Sequence, residues 1–358
     1  MIVEGMILDA DGPRRGYVRF DHGHVVETGQ IGTESAHGRV PRRRGIVVPP
    51  LVNSHTHLAD GVWEKEPPHE PVERLVAGPQ GLKFRLLSET ASSRKRSSIR
   101  GSLRQMVRGG ISAVIDFREE GRRGVELLRQ AAEGIPIRVV ALGRPLDRPV
   151  QVTEVDRLLE IADGIGLSSV AEVAVEARQV IAERCRDQGK RYALHASEVH
   201  RETPEEYLSP RPDLLIHLTE ATPDDLQLVA EAGATAAVCP RSNALFGRRP
   251  DFQAFRSANV RVLLGTDNAM FQSPSMWREL EFAYHSARLM RRPVPPEFLF
   301  RAAFVNPWEW LGTPGMARIE AGGEGAPLIL RLPIDDPYYQ VVVRGTEHLM
   351  SRAGTPGA

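Results

Sequence analysis

Between residues 45 and 267, short apolar runs alternate with amphipathic stretches. The runs lie within Gly45–His57, Ile111–Phe117, Ile137–Leu142, Gly164–Val170, Arg191–His195, Asp213–His217, Ala234–Pro240 and Arg261–Asp267. Between them, Val125–Glu133, Val152–Asp163, Ala171–Asp187 and Thr222–Ala232 carry helical periodicity. Continuous apolar strands separated by helices predict a parallel sheet buried on both faces. The run ends His57, Phe117, Leu142, Ser168, His195, His217, Pro240 and Asp267 are spaced by 22 to 27 residues, apart from a first interval of 60. That spacing suits one βα unit per interval and predicts an α/β fold, a (β/α)8 TIM barrel. The long interval comes from Leu58–Leu87, which carries Pro67, Pro68, Pro71 and Pro79 and reads as an inserted loop. A loop following a barrel strand lies on the face where active sites form, so it is a candidate lid or specificity element. A doubly wound nucleotide fold needs a glycine-rich turn between strand and helix. Gly164-Ile165-Gly166 lacks the third glycine and lies inside a run.

Outside this region the pattern differs. Met1–Leu8, Gly16–Phe20 and Val25–Glu27 read as short strands broken by Asp11-Gly12 and Asp21-His22-Gly23. Helical patterns cover Ser273–Met290 and Pro296–Leu311, and strand character returns at Arg318–Ile319, Pro327–Leu332 and Tyr339–Val343. The expected organisation is a barrel over 47–316 and a small composite β-sandwich domain from 1–46 and 317–350. Residues 351–358 are expected to form a flexible tail.

Composition narrows the class. Hydrophobic residues at 41% and charged residues at 26% are ordinary globular values and argue against disorder. No apolar run approaches the roughly 18 residues of a membrane helix. The first residues show no basic stretch followed by an apolar run, so no secretory signal is expected. Lys and Arg number 46 against 46 Asp and Glu, which gives no electrostatic pull toward nucleic acid or an anionic membrane. A small-molecule substrate is the expected partner, and Ser273–Met290 offers an apolar face for a homodimer contact. Cys185 and Cys239 are the only cysteines, too few for a disulfide framework, so a cytoplasmic setting is expected.

The chemistry concentrates at the run ends. In Val52-Asn53-Ser54-His55-Thr56-His57 the strand period places His55 and His57 on one side, roughly 6–7 Å apart at Cα. His22-Gly23-His24 has the same spacing in a turn with no other ligand type nearby, and reads as exposed. His195, His217 and Asp267 each close a further apolar run. A buried His or Asp without a partner costs several kcal/mol, so polar ends on four strands point to a shared site. Such a nitrogen and oxygen set suits zinc or iron(II). Glu198, three residues beyond His195, falls beside the ion, where a carboxyl group can move protons. Trp63 in the insert, Lys65 and Lys83, Arg118 and Glu119 after the second run, and Arg144 after the third are candidate substrate contacts.

These residues resemble the amidohydrolase superfamily. His195-x-x-Glu198 is similar to the signature of its branch of cytosine deaminase, guanine deaminase and triazine hydrolases, as is Cys239-Pro240-Arg241-Ser242-Asn243-Ala244-Leu245. The resemblance implies that His55, His57, His195 and Asp267 hold the metal, with Asp267 also able to accept a proton from the metal's water. It implies that His217 hydrogen-bonds the hydroxide or substrate oxygen and that Glu198 shuttles protons. Ser242 and Asn243 would shape the pocket. Binuclear members carry a carbamylated Lys at strand four. No Lys lies near Ser168, so one divalent ion is expected, zinc with iron as the alternative. The implied reaction is hydrolytic deamination of a small aminated nitrogen heterocycle. Opening of an imidazolone-like cyclic amide or hydrolytic dehalogenation are alternatives at the same site. A non-catalytic metal scaffold would have no use for Glu198. Pro49-Pro50 and Gly325-Ala326-Pro327 depart from the family pattern.

Overall fold

The computed structural model describes residues 1–33, 40–76, 81–146, 149–345 and 349–352. The strands are β1 (Ile2–Asp9), β2 (Gly12–Asp21), β3 (His24–Gly29), β4 (Arg42–Val48), β5 (Leu51–His57), β6 (Ile111–Arg118), β7 (Arg138–Gly143), β8 (Gly164–Leu167), β9 (Arg191–Ala196), β10 (Leu214–His217), β11 (Thr235–Val238), β12 (Arg261–Leu264), β13 (Asp267–Asn268), β14 (Leu328–Leu330) and β15 (Leu349–Arg352). They fall into two compact units. One comprises Asn53–Val107 and Ala113–Ser275; the other comprises Met1–Val52, Arg108–Ser112 and Met276–Ala358.

The unit containing both chain ends is built on one six-stranded mixed sheet, ordered β15-β14-β4-β1-β2-β3. β1 runs antiparallel to β2 and parallel to β4, and β14 runs antiparallel to β4. Val3, Ile7, Val18, Phe20, Val25 and Val47 share a core with Ile319 and Ile329, so residues more than 270 positions apart bury one another. Backbones pinch at Gly5 and Gly45. A Cβ on Gly5 would lie 2.1 Å from the Gly45 carbonyl oxygen, and one on Gly45 2.2 Å from that of Leu330.

A second sheet facing the first was expected from the sequence, and Tyr339–Val343 was to contribute a strand. That segment is instead the helix Pro337–Arg344, which packs against β1. Pro337 at its first turn is pre-set for a helix start, and burial of Val341 and Val342 outweighs the strand preference of the valine run. The tail expected from Ser351 begins two residues inside β15, and residues 353–358 lie outside the described ones. The apolar side of the helix Met276–Leu289, expected to be open to a second copy, packs on the helices Pro296–Phe304 and Pro337–Arg344 of the same chain.

The other unit carries a nine-stranded sheet ordered β12-β11-β10-β9-β8-β7-β6-β5-β13, with its strand pairs parallel. Every residue of β5, β6, β8, β10 and β11 is buried, as the continuous apolar runs require. The run Gly45–His57 divides at Pro49-Pro50: β4 belongs to the mixed sheet and β5 to the parallel one. Two successive prolines offer no backbone donor, so the ladder stops there. β12 and β13 are separated by Gly265 and Thr266 alone, yet stand at opposite ends of the strand order.

Helices return the chain between strands. The helix Pro223–Glu231 shows why one starts where it does. Thr222 Oγ1 accepts from Asp225 N at 3.2 Å, the Asp225 carboxylate accepts from Thr222 N at 2.9 Å, and Pro223 occupies the first turn. The insert after β5 is not the plain loop expected. It holds a 3-10 turn at Leu58–Val62 and helices at Val72–Leu75 and Leu82–Glu89, before the longer helix Ser92–Arg108; Pro79 lies outside the described residues. No described helix is long and apolar enough to cross a membrane.

Candidate metal centre

Five side chains from four strand ends converge. β5 supplies His55 and His57, β9 supplies His195, β10 ends at His217, and β13 opens with Asp267. All five are buried, His55 completely. His55 Nε2 lies 3.2 Å from His195 Nε2 and 3.2 Å from Asp267 Oδ1, and His57 Nε2 lies 3.6 Å from the same oxygen. Glu198 Oε1 stands 3.4 Å from His217 Nε2. Donor atoms of His55, His195 and His217, of His55, His57 and Asp267, and of Glu198, His217 and Asp267 lie within 4.8 Å of one another in each group. Phe117 from β6 forms an apolar floor, its ring 4.5 Å from that of His55 and 5.1 Å from that of His195. Gly166 makes room for it, since a Cβ there would stand 2.5 Å from the Phe117 ring.

Neighbouring groups fix which imidazole nitrogen carries the proton. His195 Nδ1 lies 2.8 Å from the Leu167 carbonyl, which only accepts, so Nδ1 donates and Nε2 is a bare lone pair. His57 Nδ1 lies 2.8 Å from Glu119 Oε1, with the same consequence. The bare His57 nitrogen faces Asp267, and the bare His195 nitrogen faces His55 Nε2. Acceptors turned on acceptors in a buried space are the arrangement a cation satisfies, and a histidine and carboxylate set suits a divalent transition metal. Burial lowers all four histidines, His57 to about 4, so the rings stay neutral and able to ligate near pH 7. Burial opposes the Asp267 charge, but the hydrogen bond from His55, with the neighbouring imidazoles, outweighs it and holds the carboxyl well below its usual range.

His217 differs. The Asn243 amide nitrogen faces its Nδ1 at 3.1 Å, so Nδ1 accepts and Nε2 carries the hydrogen, aimed at Glu198. This tautomer is assigned from the amide orientation. Burial and the Asp267 charge push Glu198 up to about 8. Ser242 Oγ donates a short hydrogen bond to Asp267 Oδ2. Ser242 and Asn243 therefore hold Asp267 and His217.

A cleft of about 120 Å³ opens against His195 and Glu198 and is lined also by Glu73, Ser168 and Ser169. Glu73 lines as well a larger hollow of about 570 Å³ between residues 66–75 of the insert and Leu245, Phe246 and Arg248. His200 is exposed at the cleft rim.

Other expected contacts sit elsewhere. Lys83 and Glu119 are paired with each other beneath His57 and line neither hollow. Arg144 is buried with its guanidinium 4.7 Å from the Phe84 ring centre. Arg118 is buried between Asp116 and Glu119. Trp63 is partly buried at the end of the 3-10 turn, and Lys65 is exposed. His22 and His24 are both exposed. Asp60 and Asp116 went unnoticed in the sequence. Asp116 carried a signal, a charge inside the otherwise apolar run Ile111–Phe117; Asp60 carried none.

The amidohydrolase family model matches residues 46–208 and 193–337, and the chain belongs to that family. A relative from Methanothermobacter thermautotrophicus, provisionally described as an aminohydrolase, is 35% identical over 86% of this chain and 84% of its own length. The 5-methylthioadenosine/S-adenosylhomocysteine deaminase of Halobacterium salinarum is 27% identical over 70% of this chain and 63% of its own length. Among solved structures, an adenosine deaminase from Xanthomonas campestris with bound zinc shares the fold. Its TM-score is 0.81 at 17% identity, covering 99% of this chain and 92% of that one.

Proposed function

We propose that the chain is a metal-dependent hydrolase that deaminates a small aminated nitrogen heterocycle. His55, His57, His195 and Asp267 would hold one divalent ion, zinc by the precedent of the Xanthomonas structure, with iron as the alternative. The deaminase names of several relatives support this reaction type. We read the parallel sheet as closed into a (β/α)8 barrel, because β12 pairs with β11 and β13, two residues on, pairs with β5. Two free, buried cysteines favour a reducing, cytoplasmic setting.

The observation that carries the reading is the placement of Glu198. It is a carboxyl group that faces a histidine N–H and lies within 4.8 Å of donor atoms of His217 and Asp267, but is grouped with none of His55, His57 and His195. When bound, a divalent ion held by these residues would acidify a water and polarise the substrate. Asp267 is placed to accept a proton from that water. Glu198, kept protonated at neutral pH by burial in the metal-free protein, is placed to protonate the ring nitrogen; it would then take the proton left on the water-derived oxygen, pass it to the departing amine, and be restored by the proton held on Asp267. His217 Nε2–H would donate to the oxygen on which charge develops. Water and the amino-bearing heterocycle then yield the oxo compound and ammonia.

The test is an ammonia-release screen of aminated heterocycles on metal-loaded protein. Glu198→Gln should keep its metal and lose turnover by at least about 10²-fold. A variant with normal turnover would remove the shuttle assignment, and ring-opened product without ammonia would remove deamination.

A further inference from the structure

Beneath the candidate metal centre lies a second cluster of buried charges. Lys83, on the helix Leu82–Glu89 of the insert, is 3% exposed. Its Nζ lies 3.1 Å from Asp60 Oδ2, 3.0 Å from His57 Nδ1 and in very short contact with Glu119 Oε1. His57 Nδ1 gives its hydrogen to Glu119 and cannot also accept from Lys83, so the ammonium hydrogens go to the two carboxylates. Donor atoms of His57, Asp60 and Glu119 lie within 4.8 Å of one another, a ready-made cation position that Lys83 fills with its own charge.

The network reaches both sides of the site. Glu119 accepts from His57. Asp60 Oδ2 accepts from the Asn268 side chain at 2.7 Å, and Asn268 directly follows Asp267. Among the described residues Lys83 is the one group bonded to both carboxylates, so it joins the β5 side to the β13 side. Arg118 also binds Glu119, but its other carboxylate is Asp116, which holds the turn after β5 through Leu58 N at 2.8 Å.

We propose that Lys83 is a positioning residue: its ammonium bridges Asp60 and Glu119, holds Glu119 as the acceptor of the His57 Nδ1 hydrogen, and thereby fixes His57 for metal binding. This rests on His57 as a ligand but not on the reaction catalysed. It gives the insert a role other than covering the site, since the insert delivers the charge that orients a ligand on β5. Without that charge, two buried carboxylates would repel one another, and Glu119 would be drawn from His57 toward Arg118.

The measurement is zinc affinity by competition with a chromophoric chelator, which needs no substrate. Outer partners of a metal-bound histidine typically change affinity 10- to 100-fold. Lys83→Met keeps the volume and removes the charge, and should weaken zinc binding by at least about 10-fold. Lys83→Ala should bind as weakly and regain affinity when methylammonium is added. Lys83→Met combined with Glu119→Gln should be weakened by less than the product of the single effects, because both act through one contact. Wild-type affinity in folded Lys83→Met would overturn the proposal, as would strictly multiplicative single effects. Should the Lys83 variants not fold, Glu119→Gln alone decides: unchanged zinc affinity there overturns it. Failure of every heterocycle to release ammonia would refute the deaminase reading and leave this affinity series intact.

Discussion

Gly265 is the place where a single methyl group should reach the metal. It lies between β12 and β13, against the strand that carries His55. A Cβ at Gly265 would stand 2.7 Å from both His55 N and His55 Cβ and 2.9 Å from His55 O. Ordinary van der Waals contact begins at 3.4 Å. In Gly265→Ala the two strands must therefore separate by about 0.7 Å, and backbone atoms cannot rotate aside as a flexible side chain could. Such overpacking typically costs about 1–3 kcal/mol. For a unit of this size that lowers Tm by about 2–4 °C per kcal/mol. The displacement also exceeds the ~0.5 Å tolerance of a preorganised site. We expect zinc affinity to fall at least about 10-fold, equivalent to about 1.4 kcal/mol. Chelator competition reads the affinity and thermal unfolding of the metal-free protein reads the stability. Gly101→Ala is the matched control. Gly101 lies within the helix Ser92–Arg108, and a Cβ there meets nothing within 4 Å. That variant should leave zinc binding unchanged and stabilise by about 0.5–1 kcal/mol through helix propensity. A Gly265→Ala protein with wild-type zinc affinity would refute the argument that strand spacing at this point sets the site.

Two further outcomes follow from burial and charge. His55→Ala should lose bound metal by elemental analysis while His24→Ala, exposed in the other unit, retains it; equal metal content would dissolve the site. In metal-free protein Glu198 holds its proton to about pH 8, against an ordinary 4.5, so its contribution to stability is complete below about 4.5 and is lost as pH rises through 8. Glu198→Gln removes that dependence. The Tm difference between variant and wild type should therefore grow in the variant's favour from pH 5 to 8, and a constant difference would contradict the assignment.

The residues that could be read from the sequence were those whose local context was already anomalous. His195, His217 and Asp267 each end an apolar run, and His55 and His57 share a strand face by the period of two. The partners that orient them were less visible. Lys83 stood out only as one of several candidate substrate contacts, and Asp60 looked like any loop carboxylate. Their meeting under His57 depends on how the insert folds, which strand periodicity does not encode. Ser242 and Asn243 were recognisable as a motif, but their actual bonds, to Asp267 and His217, depend on the start of the helix Pro240–Leu245. The strand reading of Tyr339–Val343 failed for a different reason. Local β-propensity pointed one way, while Pro337 and packing on β1 pointed the other, and burial decided.

Backbone conformation supplies an independent reason to place function at these strand ends. Ser197, His217, Leu218 and Asp267 all have positive φ, at 47°, 73°, 49° and 59°. A non-glycine residue held there costs on the order of 1–3 kcal/mol and persists only where its surroundings over-determine it. Those restraints are present. Leu218 N donates to Ile216 O at 3.2 Å across His217, a γ-turn whose positive-φ form is strained, and also to Ala196 O at 3.0 Å on β9. Ser197 N donates to Glu202 Oε2 at 2.7 Å, while Glu220 N donates to Ser197 O at 2.8 Å. An unstrained extended exit would carry His217 and Asp267 onward along their strands. The sharp left-handed turns keep their side chains at the strand ends, where His55 and His195 already point. Packing alone does not require this, since glycine would meet the backbone need without strain at either position. Keeping an imidazole and a carboxylate there, against their conformational cost, is what the proposed metal site would require.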